Sequence, residues 1–111
     1  MKIVDIETSE IKDWDSFHNY FSKIFGFPDF YGKNMDAWND CMTYLDEPDS
    51  GMTTNISVNK KDYVVLNILN VTEFKQRVPH IYDALVECSA FVNYRRIESG
   101  DAPIIFLSFF N

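Results

Sequence analysis

Apolar residues with helical spacing appear soon after the start of the chain. They recur every three or four residues and share one face of a helix: Trp14, Phe17, Phe21, Ile24 and Phe25. Asp13 is a suitable N-cap residue, and Asp15 places a negative charge in the first turn, where the helix dipole favours one. Gly26 followed by Pro28 is typical of a helix end. The pattern therefore predicts a helix that begins after Asp13 and ends at Gly26.

A second helix is predicted from Met35 to about Leu45, with Asn34 as its N-cap. Its large apolar residues lie on one side, because a helix turns by about 100° per residue and their spacings are three and four. This stripe should face the core, and it consists of Met35, Trp38, Met42 and Leu45. The segment between the two helices, residues 27–33, carries three aromatic side chains, which is unusual for a loop exposed to water.

Three segments have the composition of β-strands. Ile3 to Ile6 is a short opening strand, and Tyr63 to Leu69 is rich in β-branched and aromatic residues, as expected of a central strand. The final strand begins with the apolar run Ile104 to Leu107, which is typical of a strand covered on both faces. The segment from Glu47 to Asp62 has no clear period and is interpreted as a long loop, with one possible short strand at Ile56 to Val58.

Two further helices are expected between the central and the final strand. A short helix lies near Thr72 to Val78, and Pro79 begins the next helix at its first position. Gly100 closes the region. One face of the longer helix carries Ile81, Ala84, Leu85, Cys88, Phe91 and Val92. Strands separated by helices favour a parallel sheet with right-handed crossovers, so the predicted class is α/β, with about three strands and four helices.

Composition and charge narrow the possible functions. The length of 111 residues fits one domain, residues 1–111. A net charge of −7 disfavours direct binding to nucleic acid or anionic lipid and favours a basic protein partner. The N-terminus has acidic residues where a signal peptide needs an apolar stretch, so a cytoplasmic location is expected. Cys41 and Cys88 are then expected to be reduced and buried, and neither a metal nor a cofactor is predicted.

The outward side of the second helix is the strongest candidate for function. It forms a ridge of three acids and a hydroxyl group, flanked by Asn39: Asp36, Asp40, Thr43 and Glu47. Asp36 and Asp40 are four residues apart, so their like charges slightly destabilise the isolated helix. The ridge is either an ordinary solvated face or an acidic recognition surface. In the second case Phe30 and Tyr31 would flank it as aromatic anchors. The alternative is that these aromatics fold back onto the core edge, and for Phe30 this alternative is favoured at least as much.

The segment from Phe27 to Thr43 resembles the barstar family of intracellular ribonuclease inhibitors. The resemblance lies in a proline and an acid, two aromatics, a glycine, an asparagine, an apolar residue and Asp-Ala, then Asp-Cys-apolar-Thr: FPDFYGKNMDAWNDCMT. Weaker similarity covers most of the chain. The resemblance implies a barstar-like α/β fold with a three-stranded parallel sheet. It also implies an immunity protein or antitoxin whose second helix and preceding loop plug the active site of a basic ribonuclease.

The resemblance also implies roles for single residues. Phe30 or Tyr31 would pack against the catalytic histidine region of the nuclease. Asp40 would take the place of a substrate phosphate, and Asp36 would pair with an arginine of the nuclease. The full predicted partner-binding set is Phe30, Tyr31, Gly32, Asn34, Asp36, Asn39, Asp40, Thr43 and Tyr44.

The chain departs from the family pattern at several positions. Asn39 stands in place of a tryptophan, and Phe30 replaces the first of two tyrosines. Tyr44 and Leu45 replace a Gly-Trp pair. Arg95 falls near the position of an acidic contact residue late in the chain. These changes bear on which nuclease is bound, and they leave the acidic centre of the helix in place.

The sequence is also compatible with two other functions. A metal-dependent hydrolase would need acidic ligands and a histidine base, for which the candidates are Asp36, Asp40, Glu47, His18 and His80. His18 adjoins Phe17 in a core helix, where a lone histidine is more often structural, and no serine elbow, phosphate loop or HExxH motif is present. The other possibility is an acidic interaction module whose partner is not a nuclease.

Overall fold

A three-stranded parallel sheet forms the centre of the fold. The computed structural model describes residues 1–111. The strands are β1 (Lys2–Ile6), β2 (Val64–Leu69) and β3 (Ile105–Phe110), and they lie in the order β1-β2-β3. The predicted central strand is therefore the central one, and both of its neighbours run parallel to it.

Four α-helices connect and cover the strands. They are α1 (Trp14–Phe25), α2 (Met35–Thr43), α3 (Val71–Arg77) and α4 (Pro79–Glu98), with short 3-10 turns at Thr8–Glu10 and Pro48–Ser50. The predicted α/β class, with three strands and four helices, is confirmed. None of the helices combines the length and the apolar character that a membrane crossing requires.

The capping residues predicted from the sequence are found at the ends of the helices. The Asp13 carboxylate accepts a hydrogen bond from the Ser16 backbone N–H at 2.8 Å, and Gly26 ends α1 in the left-handed region with φ of +74°. Asn34 Oδ1 accepts a hydrogen bond from the Ala37 N–H at 2.8 Å and begins α2. Pro79 is the first residue of α4, as expected. Local sequence thus sets both ends of α1 and the start of α2. The second helix ends at Thr43, slightly before the predicted end near Leu45.

The core lies between the helices and one face of the sheet. Alternate residues of β1 and β2 are buried on that face: Val4, Ile6, Val64, Leu66 and Ile68. They join the fully buried aromatic side chains Phe17, Phe21, Phe25, Trp38 and Phe74 in one cluster. Burial of these large apolar groups supplies the main favourable term in folding.

The prediction that the final strand is covered on both faces is wrong. Phe106 is 43% exposed, and Phe109 and Phe110 are also exposed. Ile3, Val65 and Phe106 are in register on the outer side of the sheet, where Ile3 is exposed as well. The helices cover one face only, so an apolar run does not show that a strand is covered on both sides.

Two smaller predictions also differ from the structure. Residues 56–58 form no strand; the Val58 N–H instead donates to the Leu45 carbonyl at 2.9 Å, which anchors the long loop beyond α2. Phe91 is 45% exposed, because the buried face of α4 follows Ile81, Leu85, Ser89, Val92 and Arg96. The buried face of α4 includes a serine and an arginine, so it does not coincide with the purely apolar stripe predicted from the sequence.

Candidate partner-binding surface

The core stripe of α2 determines which side chains of this helix face solvent. Trp38, Met42 and Leu45 are fully buried, and Met35 is half-buried. This packing leaves Asp36 and Asp40 on the outside, with 60% of the Asp40 side chain exposed. The acidic ridge predicted from the spacing is therefore on the surface. It is not an internal ion-pair network.

Asp40 nevertheless has a counterion within the chain. The Nη2 atom of Arg95, from the last turn of α4, lies 3.1 Å from Asp40 Oδ1 and 2.8 Å from Thr43 Oγ1. The Arg95 side chain is 39% exposed, so water screens the pair, and such surface pairs contribute only about 0–1 kcal/mol to stability. The structure thus brings together a basic residue and two residues of the predicted set.

Asn39 does not flank the exposed ridge, so this part of the prediction is wrong. The residue is only 6% exposed, because α4 packs against that side of α2. The amide oxygen of Asn39 is buried without a hydrogen-bond partner. The backbone carbonyl of Asn39 accepts hydrogen bonds from Thr43 Oγ1 at 2.7 Å and from Arg95 Nη2 at 3.3 Å. Asn39 therefore belongs to the α2–α4 contact.

The two aromatics before α2 have opposite environments. Phe30 is 78% exposed, whereas Tyr31 is half-buried, with its ring centroid 4.7 Å from that of Phe27. The Tyr31 hydroxyl lies 2.6 Å from Nδ1 of the buried His18. Burial raises the pKa of Tyr31, which keeps the hydroxyl group neutral. For Phe30, the sequence favoured folding back onto the core edge at least as much as exposure to a partner. In the structure Phe30 is exposed, and Tyr31 is the residue that folds back and contacts His18.

Gly32 and Asn34 shape the backbone between the aromatics and α2. Asn34 Nδ2 donates to the Gly32 carbonyl at 3.4 Å, while its oxygen caps the helix. A Cβ atom at Gly32 would lie 3.3 Å from Asn34 Nδ2, a contact tighter than most, so a side chain there would press on the cap. Both residues are exposed, and their structural role accounts for their presence without a partner.

A groove runs from the C-terminal half of α2 to the end of α4. Tyr44, which is 39% exposed, lies in it beside the Asp40–Arg95 pair. Thr43 and Arg96 add to the lining from the two helices, and Met52, Ser99 and Asp101 add to it from the loops. The unexpected charge of Arg95 was the one indication of this groove in the sequence, because the walls of the groove are far apart along the chain.

A buried ion pair joins the end of α2 to α4 beneath the groove. Arg96 and Asp46 are 5% and 6% exposed, and their side chains meet at 2.9 Å. Arg96 also donates to the carbonyl groups of Thr43 and Ala102, each at 2.8 Å. Burial acts to raise the pKa of Asp46, but the hydrogen bonds and charge of Arg96, with Lys60, hold it below its ordinary value. These contacts fix the C-terminal end of α2 relative to α4.

The residues considered for metal-dependent hydrolysis do not form a ligand set. No three His, Cys, Asp or Glu side chains lie close enough together to hold a metal ion. His18 is buried against Tyr31, as a structural histidine would be. His80 is exposed, and its ring meets that of Trp14 with the centroids 5.9 Å apart. Cys41 is buried as expected, whereas Cys88 is only half-buried, and both are free thiols.

The fold and the surface together define a small α/β protein whose second helix presents an acidic, solvent-exposed face. The sequence profile of the family described as Barstar (barnase inhibitor) matches residues 1–108. The chain therefore belongs to the barstar family, as its motif indicated, and the members of this family are inhibitors and not enzymes. No curated protein matches the chain.

Proposed function

We propose that this protein inhibits a basic ribonuclease of the barnase type by covering its active site with α2 and the loop before it. The observation that carries this proposal is the exposure of Asp36 and Asp40 on a helix whose opposite side is locked into the core. Phe30 supports it, because it is 78% exposed in the loop that leads into this helix, and aromatic residues are enriched at protein interfaces.

Inhibition of this kind is substrate mimicry and requires no chemical step. A ribonuclease binds the phosphates of RNA with basic side chains, and fixed carboxylates satisfy the same groups. Because the helix holds the carboxylates before binding, less conformational entropy is lost when the complex forms. In the proposed complex Asp40 occupies the phosphate site, Asp36 pairs with a basic residue beside it, and Phe30 excludes water from the rim.

The charge of the chain would also speed association. A net charge of −7 attracts a basic partner from a distance, and dissolved salt screens that attraction. The barnase–barstar complex is the reference case for such steering. We therefore expect added salt to slow association with a basic ribonuclease much more than it accelerates dissociation.

Three alanine variants test the proposed surface. We expect Asp36→Ala and Asp40→Ala to raise the inhibition constant against barnase strongly, because each leaves basic groups of the nuclease buried without a partner. Asp49→Ala removes the same charge from the exposed 3-10 turn at Pro48–Ser50 and should change the constant little. Equal losses for all three variants would show that long-range charge, and not the ridge, governs binding.

A cell-based assay separates this function from that of an interaction module with another kind of partner. Cells that express a ribonuclease toxin should survive when this chain is co-expressed. The Asp36→Ala/Asp40→Ala double variant, produced at the same level, should protect them less. Failure of the wild-type chain to protect cells from any ribonuclease of this type would favour a partner that is not a nuclease.

A further inference from the structure

We infer that Arg95 is a positioning residue for Asp40: it holds one carboxylate oxygen and leaves the other for the partner. The inference rests on the proposed function, in which Asp40 enters the phosphate site of a ribonuclease. It adds a residue of a different helix and of opposite charge to the binding surface.

A single nitrogen atom of Arg95 is held by three oxygen atoms of α2. Nη2 lies 2.8 Å from Thr43 Oγ1, 3.1 Å from Asp40 Oδ1 and 3.3 Å from the carbonyl oxygen of Asn39. The Thr43 hydroxyl donates its own proton to that same Asn39 carbonyl at 2.7 Å, so its lone pairs are available to Arg95. The guanidinium group is therefore placed by the body of α2 and does not depend on Asp40 alone.

The guanidinium group of Arg95 also contacts an aromatic ring of its own helix. Its central carbon lies 5.4 Å from the centre of the Phe91 ring, one turn earlier on α4. The next residue, Arg96, is buried in the ion pair with Asp46, which fixes this turn of α4 against α2. The contacts with α2 and with Phe91 restrict the Arg95 side chain in the free protein, so little of its freedom remains to be lost on binding.

This arrangement uses only half of the Asp40 carboxylate. Oδ1 accepts the hydrogen bond from Arg95, whereas Oδ2 has no partner within the protein, and 60% of the side chain is exposed. A carboxylate held by one oxygen has its second oxygen oriented before the partner arrives. Arg95 has two opposing effects on a basic partner, because its charge weakens the attraction while its hydrogen bond orients Asp40. Repulsion acts mainly on association, and orientation acts on the lifetime of the complex.

The free protein provides the first test. Three-bond scalar couplings of the Asp40 side chain measured by NMR should report one χ1 rotamer in the wild-type chain and averaging between rotamers in Arg95→Met. Lys23→Met is the matched control, because Lys23 is an exposed basic residue of α1 without an ion pair, and its loss should leave the couplings unchanged. Averaged couplings at Asp40 in the wild-type chain would overturn the inference without any ribonuclease being present.

A double-mutant cycle with barnase provides the second test. Arg95→Met should raise the dissociation rate by about two- to tenfold, the size expected for ordering one side chain. In the Asp40→Ala background the same substitution should leave the dissociation rate unchanged, because a positioning residue acts on the lifetime of the complex only through the group it positions. Slower dissociation of Arg95→Met would show that Arg95 competes with the partner, and an undiminished increase of the dissociation rate in the Asp40→Ala background would show direct contact. Either result contradicts the inference.

The two tests also separate this inference from the proposed function. If the wild-type chain inhibits no ribonuclease, the proposed function fails, while a single Asp40 rotamer that depends on Arg95 still supports the positioning role. If the wild-type chain inhibits barnase but the cycle shows no coupling between Arg95 and Asp40, the function stands and the positioning role is wrong.

Discussion

The hydroxyl group of Tyr31 lies 2.6 Å from Nδ1 of His18 and ties the loop before α2 to the body of α1. His18 is only 3% exposed, so the hydrogen bond is shielded from water. The bond holds Tyr31 against the core while Phe30, the adjacent residue, is directed to solvent. One internal contact thus determines which of two neighbouring aromatics is available to a partner.

The buried histidine makes stability depend on pH in a defined direction. Burial lowers the pKa of His18, with Lys33 acting in the same direction and Asp15 in the opposite one. The unfolded chain therefore binds a proton more readily than the folded chain, and the contribution of His18 is fully present above its ordinary pKa of 6.5. We expect the free energy of unfolding to fall as the pH decreases below that value.

Urea denaturation between pH 7.5 and pH 5 measures this dependence. The difference between the wild-type chain and His18→Gln isolates the contribution of His18, and it should shrink as the pH falls. His80→Gln, which replaces an exposed histidine, is the matched control. A difference between wild type and His18→Gln that stays constant across this range would contradict the assignment.

Substitutions of Phe30 and Tyr31 should have different effects, one on binding to the nuclease and the other on stability. Phe30→Ala should change the free energy of unfolding by less than about 0.5 kcal/mol, because the side chain is exposed. It should weaken inhibition of barnase by about 1–2 kcal/mol, roughly five- to thirtyfold. Tyr31→Phe should instead lower stability by about 1–3 kcal/mol, because it removes the partner of a buried histidine. Thermal unfolding and inhibition constants measured on the same preparations test both expectations, and a reversed pattern would contradict them.

Features that depend on local sequence were predictable, and those that depend on contacts between distant segments were not. The caps at Asp13 and Asn34 are local, as is the core stripe of α2, so the starts of these helices and the orientation of α2 followed from the pattern. The burial of Asn39 and the pairing of Arg95 with Asp40 depend on how α4 crosses α2. No periodicity within either helix contains that information.

The buried pair of Arg96 and Asp46 should be essential for stability. We expect Asp46→Ala to lower the free energy of unfolding by about 3–5 kcal/mol, because the substitution leaves a buried arginine without its counterion. The pKa of Asp46 is held below its ordinary value by Arg96 despite burial, so its contribution is present at neutral pH and is lost as the pH falls below about 3.8. Asp49→Ala, in an exposed position, is the control. Similar midpoints of urea denaturation for the two variants would show that the pair is dispensable.

Alanine substitutions at two glycines separate the stability cost of disturbing the contact between α1 and the long loop from the cost of backbone strain. Gly26 and Gly100 both have positive φ, at +74° and +85°. Replacing either by alanine forces a side chain into the left-handed region, which costs about 1–2 kcal/mol. A Cβ atom at Gly26 would in addition lie 2.4 Å from Thr54 Oγ1 and 2.8 Å from the Asn55 backbone nitrogen, whereas at Gly100 it would meet nothing within 4 Å.

We therefore expect Gly100→Ala to show the strain alone and Gly26→Ala to be clearly less stable in urea denaturation. The added loss arises because the loop must move away from α1, which breaks the hydrogen bonds from the Thr54 N–H to the Gly26 carbonyl and from the Asn55 N–H to the Phe25 carbonyl, each 3.0 Å long. Inhibition by Gly26→Ala should stay close to that of the wild-type chain under conditions where both are folded, because this contact lies outside the proposed surface. Equal stability losses at the two positions would show that the loop yields at no cost and that these hydrogen bonds contribute nothing to the fold.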